Sequence, residues 1–151
     1  MSENITIKSY RGEYFVLFDE EAILRLNKGD LSQYFFIIDE KVAELYKNVI
    51  GNIIASEKTL ILEANEENKS LEKFPRYIEH LIDRKVRRNH TLVAIGGGVI
   101  QDIISFLAAT FMRGLRWHFY PTTLLAQADS CIGSKSSINV GTIKNILGTF
   151  T

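Results

Sequence analysis

Three consecutive glycines, Gly96-Gly97-Gly98, stand between an apolar run and a stretch of helical patterning, and an acid, Asp102, follows four residues later. Glycines at such a place let the backbone approach a ligand closely and adopt positive φ. The helix behind them presents free N–H groups and a partial positive charge, which suit a pyrophosphate. The spacing is not G-x-G-x-x-G, so the usual dinucleotide fingerprint is absent. By themselves, three glycines equally describe a tight strand-to-helix turn. Asp102 is expected in the first turn of that helix, where the dipole favours a carboxylate, and on the side of the ligand crevice.

Further along, Arg113-Gly114 has the makings of a helix end, with Arg complementing the dipole and Gly allowing a left-handed cap. Asp129-Ser130 reads as a helix or turn cap after Leu124–Ala128, and Asn139 as a residue that shapes a turn. Lys135 on its own is a solvated surface charge. His80, His90 and His118 are not spaced as a metal motif: His80 belongs on a helix face and His118 on a strand. Cys131 is the only cysteine, so an intrachain disulfide and a multi-cysteine zinc site are both excluded. Its expected place is as a small buried apolar residue.

The elements that must position these residues alternate in type. Ile5–Ser9 and Tyr14–Phe18 are β-rich, and Gly12 between them suits a hairpin turn. Tyr34–Asp39 is a continuous apolar run, as in a strand buried on both faces. A helical stretch follows it, with Val42, Leu45 and Tyr46 at helix spacing. Thr59–Leu62 is a second such strand, and Glu63–Lys69 is a polar loop. Ser70 is an N-cap candidate for an amphipathic helix with Phe74, Tyr77, Ile78, Leu81 and Ile82 on one stripe. Pro75 is tolerable there only within the first turn. Thr91–Ile95, a helix from Val99 to about Thr110, and strand Trp117–Tyr120 ended by Pro121 complete the pattern. Strand, helix, strand, helix in this order predicts a parallel sheet covered on both faces. Ligands bind such sheets beyond the carboxyl ends of the strands, so the important loops are those after Asp39, Leu62, Ile95 and Tyr120.

A chain of 151 residues is long enough for one domain with a real core. Its 18 basic and 18 acidic residues cancel, which argues against a nucleic-acid partner or an anionic membrane surface. Met1-Ser2-Glu3-Asn4 has neither a basic nor an apolar leader region, and no apolar run is long enough to span a bilayer. A cytoplasmic location is the expectation.

The ordered set GGGVIQD (Gly96–Asp102), Met112-Arg113-Gly114, Pro121-Thr122-Thr123-Leu124-Leu125-Ala126-Gln127, Asp129-Ser130, Gly133-Ser134-Lys135, Asn139, Lys144-Asn145 and Leu147-Gly148 closely resembles the 3-dehydroquinate synthase family of sugar-phosphate cyclases. Asn65–Ser70 resembles the family's Gly-Glu-x-x-Lys-Ser loop. The resemblance implies a Rossmann-like parallel sheet flanked by helices, preceded by a β-hairpin. It implies a phosphate-eliminating carbon–oxygen lyase of the shikimate pathway, serving aromatic amino acid biosynthesis. The substrate would be 3-deoxy-arabino-heptulosonate 7-phosphate and the product 3-dehydroquinate. In that reaction NAD oxidises a carbinol transiently, phosphate leaves, the hydride returns and an intramolecular aldol closes the ring. A divalent metal, zinc or cobalt, polarises the oxygens being oxidised.

Carried over residue by residue, the resemblance implies that Asp39 and Glu66 meet ribose hydroxyls and Lys69 the nicotinamide end of NAD. Gly97 and Gly98 would lie against the pyrophosphate, Thr122 and Thr123 would add hydroxyl contacts, and Asp102 and Asp129 would hold the nicotinamide side. Lys135, Lys144 and Asn145 would face the substrate, and Arg113 would reach the substrate phosphate of a neighbouring subunit in a homodimer. The family's metal ligands, a Glu and two His, lie in a helical domain expected after residue 151. The chain is therefore expected to be the NAD-binding N-terminal domain, inactive alone. Gln101, Ser134, Ser136-Ser137 and Val140–Ile143 depart from the family pattern, so the resemblance specifies the cofactor more closely than the substrate. A cyclase making another cyclitol, a metal-dependent alcohol or glycerol dehydrogenase, and a stand-alone nucleotide-binding module are the alternatives.

Overall fold

The computed structural model describes residues 4–133 and 135–150. Ser134 and the Met1–Glu3 segment weighed for a leader lie outside the described residues. β1 (Asn4–Ser9) and β2 (Gly12–Leu17) form the expected hairpin, antiparallel, with Ser9 opposite Gly12. Gly12 has φ +141°, a conformation that strains any side chain.

Four strands, β3 (Tyr34–Asp39), β4 (Thr59–Leu62), β5 (Thr91–Gly96) and β6 (Arg116–Pro121), build a parallel sheet in the order β4-β3-β5-β6. β5 is buried along its whole length, and its neighbour β3 along most of its own. Phe35–Ile38 of β3 and Leu92–Ile95 of β5 are apolar throughout because each face meets helices. Phe35, Ile37, Leu92 and Ala94 pack against α4 (Phe74–Asp83) and α5 (Gly98–Thr110). Phe36, Ile38, Val93 and Ile95 point the other way, onto α2 (Glu40–Leu45) and α3 (Gly51–Ala55). One continuous apolar run thus feeds two cores through the strand's two-residue period.

Several expectations are corrected. Ser70 does not cap α4: its hydroxyl bonds Glu72, and a 3₁₀ turn, Leu71–Lys73, precedes the helix. Pro75 sits in the first turn, where no N–H is lost. The α4 stripe is narrower than its sequence suggested, because Phe74, Tyr77 and Leu81 are buried while Ile82 is exposed. In α2, Val42 and Ala43 are buried, and Leu45 and Tyr46 face solvent. Two short helices, α1 (Ala22–Lys28) and α3, and a C-terminal hairpin, β7 (Ile138–Val140) with β8 (Ile143–Leu147), have no counterpart in the sequence reading. Cys131 is only partly buried, its thiol donating to the Gln127 carbonyl. Among the described residues no helix is long and apolar enough to cross a membrane.

Candidate active site

The glycine turn lies at the carboxyl edge of the sheet. Gly96 is the last residue of β5, paired with Pro121, and its carbonyl accepts from the Thr122 N–H at 2.9 Å. Gly96 and Gly97 are needed for closeness and not for positive φ, since none of the three glycines is among the positive-φ residues. A Cβ at Gly96 would stand 2.8 Å from Ile100 Cγ1 and 3.2 Å from Asp39 Cβ. A Cβ at Gly97 would meet Thr123 Cγ2 at 3.1 Å. At Gly98 the nearest atom is Ser130 Oγ at 4.0 Å, so this residue borders open space. Gly97 is the N-cap of α5 and has no side chain to cap it, and among the described residues no side chain accepts from the helix's first N–H groups. The first N–H groups of this 13-residue helix therefore need an acceptor from outside it. Thr123 Oγ1 turns back to accept from the Ala126 N–H at 3.2 Å.

Asp102 belongs to the second turn of α5, one turn later than expected, and this places its carboxylate away from the helix end. There it meets a buried cation. Lys69, 5% exposed, donates to Asp102 Oδ2 at 3.1 Å and to Asn145 Oδ1 at 2.9 Å, with Glu66 Oε2 at 3.6 Å. The second Asp102 oxygen accepts from the Ser137 N–H at 3.0 Å. Burial pushes the Asp102 carboxyl above its usual range, and this outweighs the pull of Lys69. Glu66 is held below its range, chiefly by the hydrogen bond from Asn139, with Lys69 and Lys144 adding to it. Asn145 reaches the network from β8 with φ +55°, a left-handed conformation that Asn tolerates better than most residues.

The structure thus brings together Glu66, Lys69, Asp102 and Asn145, and separately Gly97, Gly98 and Thr123. Thr122 joins the second group through its backbone. Asp39 ends β3 and caps α2, accepting from the Lys41 N–H at 3.0 Å. It also lines a groove of about 710 Å³ with Lys41, Lys47, Ile61, Glu63 and Ala64. Asp129 is exposed on a π-turn, Ala126–Ser130. Lys135 is exposed beside Phe150, with which its backbone forms a bridge, and Lys144 is exposed on β8. Arg113 lies at the far end of α5, about 20 Å from Gly98 by helix length. Met112 and Arg113 both have positive φ before Gly114, so the helix stop is more strained than a simple glycine cap.

Three polar side chains absent from the sequence-derived site prove central. Asn139 is buried and bonds both Glu66 and the Asn145 backbone. Ser137 supplies a backbone donor to Asp102 and a hydroxyl to Asn145 Oδ1 at 3.0 Å. Gln101 is buried and fastens α5 to the π-turn, donating to the Ser130 carbonyl at 2.6 Å. A polar residue between two β-branched ones, Ile138-Asn139-Val140, was the available signal for the first. Among the described residues no group of three or more His, Cys, Asp or Glu is placed to hold a metal ion.

Fold and site together define a Rossmann-like α/β domain with a glycine-rich strand-to-helix turn at the carboxyl edge of its sheet. The family model described as 3-dehydroquinate synthase N-terminal matches residues 59–151. The 3-dehydroquinate synthase of Clostridium tetani is 41% identical over 121 residues, covering 79% of this chain and 32% of that protein. That of Bacillus cereus is 36% identical over 156 residues, covering 97% and 43%. Among solved structures, a 2-deoxy-scyllo-inosose synthase complexed with carbaglucose-6-phosphate, NAD+ and Co2+ superposes with a TM-score of 0.82 at 23% identity, over 98% of this chain and 43% of that one. A 2-epi-5-epi-valiolone synthase from Streptomyces hygroscopicus with NAD+ and Zn2+ bound gives 0.69 at 28% identity, over 83% and 38%. The chain belongs to the 3-dehydroquinate synthase family, in its N-terminal region. It spans about a third of the length of the Clostridium tetani relative.

Proposed function

We propose that this chain is the NAD-binding domain of a sugar-phosphate cyclase of the 3-dehydroquinate synthase type. One observation carries the reading. An uncapped helix N-terminus with an open Gly98 lies at the sheet's carboxyl edge, and α5 also bears Asp102 in a buried cluster with Glu66, Lys69 and Asn145. The glycine turn suits a pyrophosphate, because backbone N–H groups can approach it and no Cβ stands in the way. Asp39, with its groove, suits the adenosine ribose, and Glu66 a ribose hydroxyl. Thr122 and Thr123 add hydroxyl contacts.

Bound NAD would supply reversible hydride removal. The chain's own part is to hold and polarise. Lys69 and Asp102 face the nicotinamide end, where a desolvated carboxylate and ammonium act strongly on a developing charge. Asp129 approaches from the π-turn. Asn145 and the exposed Lys135 and Lys144 face the substrate, the lysines as partners for its phosphate and carboxylate. Arg113, at the opposite end of α5, serves the site of a second subunit in a homodimer. A divalent metal, zinc or cobalt, belongs with ligands outside the described residues, and catalysis requires the part of the relatives that this chain does not span.

The test is a chimera in which this chain is continued by the remainder of the Clostridium tetani relative. Stoichiometric phosphate release from 3-deoxy-arabino-heptulosonate 7-phosphate, with no net NADH, is expected. Turnover only of sugar phosphates lacking the carboxylate would assign another cyclitol. Net NADH from a simple polyol would assign a dehydrogenase.

A further inference from the structure

We propose that Asn139 is a positioning residue that locks the cofactor-side loop, Glu66–Lys69, to the substrate-side hairpin carrying Asn145, so that the two halves of the site are set as one unit; this rests on the NAD reading above.

Asn139 is 4% exposed, and both its amide nitrogen and its amide oxygen are engaged by these elements. Its amide nitrogen donates to the Glu66 carbonyl at 3.1 Å and to Glu66 Oε2 at 2.8 Å. Its amide oxygen accepts from the Asn145 N–H at 2.9 Å. Its own backbone N–H donates to the Lys69 carbonyl at 3.1 Å. The partners fix the orientation of the amide. Turned over, it would set its NH₂ against the Asn145 N–H and its oxygen against two acceptors. Only a side chain with a double donor on one side and an acceptor on the other satisfies the position. Asn145 is also held in its left-handed conformation by this bond, and its side chain then reaches Lys69 and Ser137. Loss of Asn139 should therefore move Glu66 and Asn145 together although Asn139 touches neither ligand.

Two variants test this in the chain, with NAD as the probe. Asn139→Ala removes all three side-chain bonds, and NAD affinity by calorimetry is expected to fall at least roughly tenfold, the value of one charge-assisted hydrogen bond. Asn139→Asp keeps the shape and the acceptor but sets a second carboxylate against Glu66, with Lys69, Lys144 and Asp102 the other charged groups facing it. It should bind at least as weakly as the alanine variant at neutral pH. It should regain affinity in part on acidification, where one proton bridges the two carboxyls and restores one donor. A role in filling space alone predicts no recovery. Unchanged affinity in Asn139→Ala, or a deficit in Asn139→Asp that acidification leaves unchanged, would overturn the proposal. Failure of the unaltered chain to bind NAD would defeat the cofactor reading instead. The positioning claim is then decided by two other readouts in Asn139→Ala. Exchange protection of the Asn145 amide should be lost, and the Glu66 carboxyl should rise toward its ordinary value; if both stay as in the unaltered chain, the claim fails.

Discussion

Lys69 illustrates how one residue can be legible by type and illegible by environment. A lysine in a polar loop suggests a solvated charge, yet its side chain is 6% exposed and is held by Asp102 and Asn145. Removing a partner from such a buried pair strands the other charge. Asp102→Ala is accordingly expected to lower unfolding free energy by about 3 kcal/mol in urea titration. A loss below about 0.5 kcal/mol would mean that Lys69 reaches water instead. Acid titration separates the two carboxylates. The folded-state value of Glu66 is depressed, so its contribution is present above its ordinary value and lost as pH falls through the depressed one. The stability difference between the unaltered chain and Glu66→Gln should therefore shrink on acidification. Asp102 has a raised folded-state value, so its proton-linked part runs the other way, present at low pH and lost as pH rises through that value, while the cost of stranding Lys69 in Asp102→Ala is a separate effect. Titration by NMR should place the Asp102 carboxyl above Glu66, and the reverse order would contradict the described geometry.

At the scale of elements, the buried strands β3 and β5 and the helix α5 were readable because long apolar runs and a glycine punctuation leave few alternatives. Less was readable where stability comes from tertiary contacts. α1 and α3 are short and neither N-cap residue supplies a side-chain cap; α3 instead has its Ile53 N–H taken by the distant Asn27 Oδ1 at 3.1 Å, and helices of that length form through packing and not through propensity. The β7–β8 hairpin docks onto the Glu66–Glu72 segment through Asn139 and through Glu72, which accepts from the Gly141 N–H at 2.9 Å. Such long-range side-chain bonds leave no local pattern. The glycine turn yields a prediction with opposite signs at neighbouring positions. Gly96→Ala forces a Cβ against Ile100 and Asp39, and stability should fall by about 1–3 kcal/mol. Gly98→Ala meets nothing closer than 4.0 Å and should leave stability unchanged or raise it slightly, since Ala favours a helix. It should nevertheless weaken NAD binding by at least roughly tenfold, because a methyl group then occupies the approach to the helix N-terminus. Equal NAD affinity in Gly98→Ala would remove the pyrophosphate from this turn.

Across the whole molecule, the fold separates jobs by the two ends of the sheet. The carboxyl edge holds the glycine turn, the Lys69 cluster and the Asp39 groove, and the amino edge receives Arg113 at the end of α5. If Arg113 serves a second subunit, Arg113→Ala should leave NAD affinity within about twofold in the isolated chain and should depress turnover only in the chimera. The proposed function requires a dinucleotide spanning the carboxyl edge from Asp39 to Asp102. The most direct measurement is titration of the isotopically labelled chain with NAD, following assigned backbone amides by NMR. Saturable shifts are expected at Asp39, Glu66, Lys69, Gly97, Gly98, Thr122 and Thr123, with the amino edge unmoved. No saturable shift at millimolar NAD, or shifts confined to residues away from the glycine turn, would contradict it.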